Sequence, residues 1–379
     1  MRRKLLYVVL LALCCLSLTG CWNYRGLNDM DIVTGLAVDR DMETGLYQLT
    51  FEIADTQNAE GDGEVEAKYV NSEGETVFDA IRNSKKRLIN KLYGGNLQTL
   101  IISNQIAQKD GVSGIIEELL RDGEPRETLS VVISQEESAS EILLTDGIDS
   151  KIIAYEIHDM IQEDSKVTAS TKNLPLYRVY SAIQGTGNAL VLPVVHVIQN
   201  GEDTVAEVNG IAMFEGDQMI GYQSPENTMY YLFIIDEIDG GALSFPAADT
   251  DESISLEIKN SKTKISVAYE DGQVTVHLNV KIKLNVTESK SQLNISEAKE
   301  RKQLETLTEQ IVRERISAFF HETQTQTRRD IFGLGRLLYQ REPDVWRSVE
   351  ADWQEYFQNA SLSVKVTADM ISSGVLKDY

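Results

Sequence analysis

Apolar and polar residues alternate along several short segments of the chain, a period that predicts β-strands with one buried face. The clearest run reaches from Val274 to Val286, where every second residue is Val, Leu or Ile. Asp271-Gly272 lies between this run and an alternating segment that ends at Tyr269. Asp-Gly between two such runs is typical of a two-residue hairpin turn. The sequence therefore predicts a pair of long antiparallel strands here.

Other segments place apolar residues three and four positions apart, the period of an amphipathic helix. One such helix is predicted over residues 294–325, and another begins near Pro343, a residue that fits a first helical turn. A last strand is predicted around residues 362–366. The apolar face of the second helix carries Trp346, Val349, Trp353 and Phe357. Because Trp346 and Trp353 are two helical turns apart, we interpret them as core residues rather than as a ligand-stacking pair.

The first half of the chain alternates between predicted strands and helices, an order that indicates crossover units in a mixed sheet. A capping box of Ser72 and Glu75 is expected to open a helix that runs past Leu92 to Gly94-Gly95. A small hairpin is expected across Glu215-Gly216-Asp217. The predicted strands are residues 30–39, 46–54, 97–103, 129–134 and 189–198, with helices around residues 115–120, 150–164 and after Pro175.

These patterns predict an α+β fold of several domains. Mixed sheets are expected in the N-terminal and middle regions, and an antiparallel sheet packed with long helices in the C-terminal region. The expected division is a signal peptide at 1–20, an α/β domain at 21–150, a middle region at 151–203 and an α+β domain at 204–379. The polar residues 199–203 are the best candidate for a boundary. The 379-residue chain without its first 20 residues has 359, more than one core usually holds.

The first 21 residues have the order of a secretory signal: a basic start, an apolar stretch and a small-residue end. The apolar stretch, residues 5–18, is shorter than the ~20 residues that a membrane-spanning helix needs. Leu18-Thr19-Gly20-Cys21 resembles the lipobox of bacterial lipoproteins, in which the cysteine takes a diacylglyceryl group. We therefore predict that Cys21 is lipidated after cleavage. The alternative is an ordinary signal peptide with a coincidental cysteine.

Composition supports an exported, lipid-held protein. Two of the three cysteines, Cys14 and Cys15, lie in the signal, so the mature chain has no disulfide and must fold on its apolar core. Removing the signal, with three basic and no acidic residues, takes the net charge from −23 to −26. Such a chain is a poor partner for nucleic acid and is repelled by anionic headgroups. Acyl chains on Cys21 are therefore expected to hold it at the membrane.

Residues that could carry chemistry are scattered, and we predict no catalytic residue, no cofactor and no metal site. The four histidines, His158, His196, His277 and His321, have no ligand spacing, and His277 falls on the polar side of its strand. No metalloprotease, dithiol, phosphate-loop or nucleophile-elbow motif is present. Carboxylate pairs leave little trace in a sequence, so these absences favour a non-enzymatic protein without excluding catalysis.

Three weaker signals have plainer interpretations. Gly185-Thr186-Gly187 is half of a dinucleotide fingerprint, but Leu190 stands where the third glycine belongs, which favours a loop. An acidic group lacks the glycine and distant glutamate of a calcium loop and is interpreted as a solvated loop; it comprises Asp249, Asp251 and Glu252. A basic cluster is interpreted as the solvated face of a helix, with a membrane or partner contact as the alternative; it comprises Lys85, Lys86, Arg87 and Lys91.

Cys21-Trp22-Asn23-Tyr24-Arg25-Gly26-Leu27-Asn28, followed by an apolar strand that ends in Asp39, resembles the start of the Ger(x)C family, the C subunits of spore germinant receptors. Asn23 stands where the family usually has Asp, and Gly26 where it has Glu. Asn96 follows Gly94-Gly95 where members often carry His. The similarity continues through residues 107–111, Arg121-Asp122, residues 210–221, Asp330-Ile331-Phe332-Gly333-Leu334-Gly335, Pro343, Trp346, Trp353 and the strand before Gly374.

The resemblance implies an α/β-rich fold of three domains on the outer face of the spore inner membrane. It implies lipid on Cys21 and no catalytic residue to carry over. It also implies an A subunit and a multi-spanning B subunit as partners, in a complex that senses nutrients and starts germination. We expect the chain to dock on these partners through exposed apolar residues. Tyr230, Tyr231 and Phe233 are candidates, although packing inside the fold is the favoured interpretation of these three.

Two other hypotheses belong to different classes. A solute-binding lipoprotein would capture a nutrient itself, but such proteins usually have two similar lobes, and the C-terminal half shows no such symmetry. An anchored hydrolase would need a nucleophile or a metal set. Calorimetry of the isolated protein with nutrient amino acids and sugars separates the first hypothesis from a docking subunit.

Overall fold

The computed structural model describes residues 2–4, 7, 26, 29–56, 65–246, 253–289 and 297–372. The strands are β1 Met30–Arg40, β2 Tyr47–Asp55, β3 Glu66–Gly74, β4 Lys91–Tyr93, β5 Thr99–Ser103, β6 Ser130–Ser134, β7 Val191–Asn200, β8 Asp203–Glu215, β9 Gln218–Gln223, β10 Ala242–Pro246, β11 Ser253–Glu270, β12 Gln273–Ser289 and β13 Ser361–Ser372. The helices are α1 Val77–Ser84, α2 Asn104–Lys109, α3 Ser113–Asp122, α4 Ser140–Leu143, α5 Ile153–Val167, α6 Leu176–Gln184, α7 Pro225–Ile235, α8 Ala298–Glu322, α9 Leu334–Arg341, α10 Pro343–Val349 and α11 Trp353–Gln358.

The larger sheet has the strand order β3-β2-β1-β5-β6-β7-β8-β9, and β4 also pairs with the start of β1. Strands β1, β5, β6 and β7 run parallel in its centre, and antiparallel strands flank them on both sides. Every residue of β5 and of β6 is buried. Parallel strands of this kind need cover on both faces because helices cross over between them.

Helices provide that cover. One apolar core joins one face of the sheet to α1, α2, α3 and α6 through residues such as Ile106, Ile116 and Val179. A second core lies on the opposite face and holds Ile142, Ile157 and Ile161 of α4 and α5. The polar side of an alternating strand can therefore be buried too.

The smaller sheet has the order β10-β11-β12-β13. The predicted hairpin is confirmed: β11 and β12 pair antiparallel around Asp271 and Gly272, both with positive φ (51° and 85°). The alternating residues from Val274 to Val286 are buried against α8 and the helices that follow it. Strand β13 pairs in parallel with β12, so this sheet is mixed rather than purely antiparallel. Helices α8 to α11 form the crossover that a parallel connection requires.

The fold class is confirmed as a mixed α+β structure with two mixed sheets, but several predicted elements differ. Ser72 lies in β3, and Thr76 caps α1 instead, accepting a hydrogen bond from the Asp79 amide at 3.1 Å. Helix α1 ends at Ser84, well before the predicted end near Leu92. The helix predicted after Pro343 is divided into α10 and α11 by a 3₁₀ turn, Glu350–Asp352. Strand β10 and helices α7 and α9 had no prediction.

The predicted boundary at residues 199–203 falls on the turn between β7 and β8, which are paired neighbours in the larger sheet. Three residues of this sheet, Val191, Ile211 and Met213, also belong to the apolar core of the C-terminal half. The division into domains stays a prediction.

Candidate functional site

The predicted lipid acceptor, Cys21, lies outside the described residues. The first strand, β1, begins at Met30, nine positions after Cys21. Met30 pairs in parallel register with Lys91 at the start of β4. A tether at Cys21 would therefore join the protein at the corner formed by β1, β4 and the loop before β4.

A groove of about 600 Å³, here called the N-terminal groove, opens at this corner between α1 and the first strands. Its floor is apolar and includes Val33, Leu36 and Phe51, while Arg82 and Lys85 stand on its rim. The lining contains no histidine or cysteine among the described residues. The N-terminal groove can accommodate apolar groups, and its lining also carries cations, Lys91 among them, and the acids Asp122 and Glu124.

Two buried carboxylates organise the opposite face of the sheet. Glu52, fully buried in β2, accepts hydrogen bonds from the amides of Ile153 (2.7 Å) and Ala154 (3.1 Å) and from the Thr34 hydroxyl (2.8 Å). It thus caps the first turn of α5, a position that favours a negative charge. Burial nevertheless raises the pKa of Glu52 to about 7, with those three donors opposing the shift.

Asp39, at the end of β1, has a parallel role. Its carboxylate accepts hydrogen bonds from the amides of Ala139 (2.7 Å) and Ser140 (3.1 Å) and from the Ser138 hydroxyl (2.9 Å). Burial raises the pKa of Asp39 as well. Both carboxylates bind backbone amides of the chain itself, so their role is structural. Their structural role could not be predicted from sequence, because each lies on the strand side that alternation predicts to be polar.

A third buried carboxylate organises the segment Asp330-Ile331-Phe332-Gly333-Leu334-Gly335. Asp330 accepts hydrogen bonds from the amides of Phe332 (3.0 Å) and Gly335 (2.8 Å) and from the indole Nε1 of Trp353 (3.0 Å). The Trp346 and Trp353 rings lie 5.3 Å apart, and both are buried. The prediction that these tryptophans are core residues is confirmed. Burial raises the pKa of Asp330, and the surrounding donors oppose that rise.

The other residues that the sequence offered as candidates for chemistry do not form a common site within the described ranges. His158 lies 2.9 Å from the Ser130 hydroxyl, and burial lowers its pKa; His196 contacts Glu207 at 3.4 Å. His277 and His321 are exposed. Within the described ranges no three His, Cys, Asp or Glu residues are grouped as metal ligands. Asp249, Asp251 and Glu252 lie outside those ranges, and Gly185-Thr186-Gly187 forms the predicted loop before β7.

One interpretation of these surfaces is confirmed and one was wrong. Packing inside the fold, the favoured interpretation of Tyr230, Tyr231 and Phe233, is confirmed, because all three are buried in α7, which packs between the two sheets. Lys85, Lys86 and Arg87 lie on a loop beyond the end of α1 rather than on a helix face, and Lys91 begins β4. The cause is the early end of α1 at Ser84.

No helix in the described part of the chain is both long and apolar enough to cross a membrane.

Comparison with known proteins identifies the family. The model described as "Spore germination protein N-terminal domain" matches residues 23–197, and the one described as "Spore germination B3/GerAC like, C-terminal" matches residues 209–374. Spore germination protein B3 of Bacillus subtilis (strain 168) is 22% identical over 378 residues, covering 98% of each chain. Spore germination protein GerQC of Bacillus cereus is 22% identical over 376 residues, covering 99% of each chain.

The fold agrees with this likeness. The crystal structure of the GerBC protein superposes with a TM-score of 0.59 at 19% identity, covering 89% of this chain and 97% of that one. The fold and the matched segments define a spore germination protein. The chain belongs to the Ger(x)C family.

Proposed function

We propose that this chain is the lipid-anchored C subunit of a spore germinant receptor and is needed for nutrient-triggered germination. The proposal rests on the share of this chain and of its relatives that aligns. Whole spore germination proteins match this chain from end to end, with 98% and 99% of both partners aligned in two cases. The chain therefore shares with these relatives segments along nearly their whole length.

In this proposal the protein is held by lipid on Cys21 at the outer face of the cell membrane, which becomes the spore inner membrane. It acts by docking on the A and B membrane subunits rather than by catalysis. The described carboxylates support that view, since Glu52, Asp39 and Asp330 each hold backbone or indole donors. Confinement to the membrane raises the effective concentration of the partners, so weak contacts suffice.

A complementation experiment tests the proposal. Spores lacking the chain should respond more slowly to a mixture of amino acids, sugars and nucleosides, measured as the fall in optical density. The wild-type chain should restore the response, whereas Cys21→Ala should not and should be absent from the salt-washed membrane fraction. Cys15→Ala is the matched control, because Cys15 lies before the predicted cleavage site. A Cys21→Ala chain that stays in the washed membranes would rule out lipid anchoring.

A further inference from the structure

The loop of residues 85–90, here called the basic loop, carries an unusual apolar tip. Ile89 is 96% exposed, the highest value among the large apolar side chains in the described part of the chain. Nearby, Phe78 is 49% exposed, with the guanidinium of Arg82 4.9 Å above its ring. Single exposed apolar residues are common, and the surroundings of Ile89 distinguish it from the others.

The basic loop is folded so that Ile89 points away from the protein. The Lys85 ammonium donates to the carbonyl oxygens of Leu88 (3.2 Å), Ile89 and Asn90 (3.1 Å). Leu88 turns inward and lines the N-terminal groove. The amides of Lys86 and Arg87 continue the helical turn by donating to Asn83 (3.0 Å) and Ser84 (2.9 Å). Ile89 is thus held outward by a network of hydrogen bonds.

The charge of this corner is opposite to that of the whole protein. Residues 82–91 contain five cations and no acid in a chain of net charge −23. Lys91 pairs with Glu124. Across the described ranges, no carboxylate lies within salt-bridge distance of Arg82, Lys85, Lys86 or Arg87. Asp122 and Glu124 lie on the other side of the N-terminal groove, where Glu124 is paired with Lys91, and Asp79 lies towards the other end of α1.

The basic loop lies near the proposed lipid tether, which indicates that its partner is the membrane. Lys91, directly after the basic loop, pairs with Met30, and Met30 lies nine positions after Cys21. Nine residues span at most about 30 Å, so lipid on Cys21 would keep this corner close to the bilayer. Cations near an anionic leaflet are attracted over about one Debye length, ~8 Å at physiological salt. An exposed apolar side chain beside them fits the headgroup region.

We infer that the basic loop rests on the anionic lipid surface, with Ile89 inserted among the headgroups, and so fixes the orientation of the anchored protein. The inference rests on the proposed lipid anchor. This orientation explains how a strongly acidic protein lies close to an anionic membrane. The protein contacts the lipid through residues 82–91, which contain five cations, the highest density of cations in the described ranges.

A labelled cysteine tests the inference in the lipidated mature protein. If Cys21 carries lipid and residues 1–20 are removed, Ile89→Cys provides the sole free thiol for an environment-sensitive fluorophore. Met42→Cys is the matched control, since Met42 is also exposed and lies beyond the far end of β1, an eleven-residue strand about 33 Å long. Both proteins are placed on vesicles of phosphatidylcholine, with or without 30% phosphatidylglycerol.

On the anionic vesicles the fluorophore at position 89 should shift to shorter wavelength and be quenched by lipid-borne nitroxide, whereas the one at position 42 should not change. Lys86→Glu should weaken the quenching at position 89 about fivefold or more, and Lys109→Glu, at the far end, should leave it unaltered. Equal signals at positions 89 and 42 on lipidated protein would overturn the inference alone. Absence of lipid on Cys21 by mass spectrometry would overturn the anchor and the inference together. Equal melting temperatures establish that the variants are folded.

Discussion

Gly187 and Gly335 meet backbone to backbone, although 148 positions separate them in the sequence. The amide of Arg336 donates to the Gly187 carbonyl at 2.9 Å, and a Cβ on Gly187 would lie 2.7 Å from the Gly335 carbonyl carbon. This contact joins the loop before β7 to the first turn of α9. A glycine that resembled part of a nucleotide fingerprint is therefore a packing contact between the two halves of the chain.

Gly187→Ala should lower the free energy of unfolding more than Gly201→Ala does. Both glycines have a left-handed φ, +66° and +69°, so both substitutions carry a backbone cost of about 1–2 kcal/mol. Only Gly187 would also clash, since nothing lies within 4 Å of a Cβ on Gly201. Overpacking typically adds about 1–3 kcal/mol. Urea unfolding measures both values, and equal losses would show that the contact is unimportant.

Trp353→Phe should destabilise the protein more than Trp346→Phe. The Trp353 indole donates to buried Asp330, and losing a donor to a buried group costs about 1–3 kcal/mol. The Trp346 Nε1 has no hydrogen-bond partner in the described structure, so its loss removes mainly volume. Trp353→Ala should cost about 3–5 kcal/mol. Thermal unfolding tests this order, and unchanged melting with lost germination would instead place Trp353 at an interface.

Patterns that are local in sequence were predictable, and those that depend on distant neighbours were not. The alternation of β12 and the Asp271-Gly272 turn are local and were correct. Strand β3 carries few apolar residues and is recognisable only through its pairing with β2. Helix α1 was predicted too long because Leu88 and Leu92 continue its apolar spacing while lining the N-terminal groove instead.

The buried polar groups illustrate the same limit at the candidate sites. Glu52 alternates with Leu49, Phe51 and Ile53 and so falls on the strand face that sequence assigns to solvent. It is buried because α5 covers that face, a fact of tertiary packing. The packing of Tyr230, Tyr231 and Phe233 was predictable, since the run from Met229 to Ile235 is apolar on every side and such a run indicates cover on every side.

The protein should become less stable as the pH rises from about 4.5 through 7, through the ionisation of Glu52. Its pKa is raised from 4.5 to about 7 by burial, so the folded state holds a proton that the unfolded state has released. This stabilisation is complete below 4.5 and is lost as the pH passes 7, by about 3 kcal/mol. Glu52→Gln should show a flatter profile over this window when unfolding is followed in urea. An identical slope in both proteins would assign the dependence to other groups.

Purification of the tagged chain from detergent-dissolved spore inner membranes tests the central claim most directly. If the chain is an anchored receptor subunit, the A and B subunits should be enriched with it in comparable amounts by mass spectrometry, and Cys21→Ala should reduce that recovery strongly. Recovery of the wild-type chain from the membrane without either subunit would contradict the account.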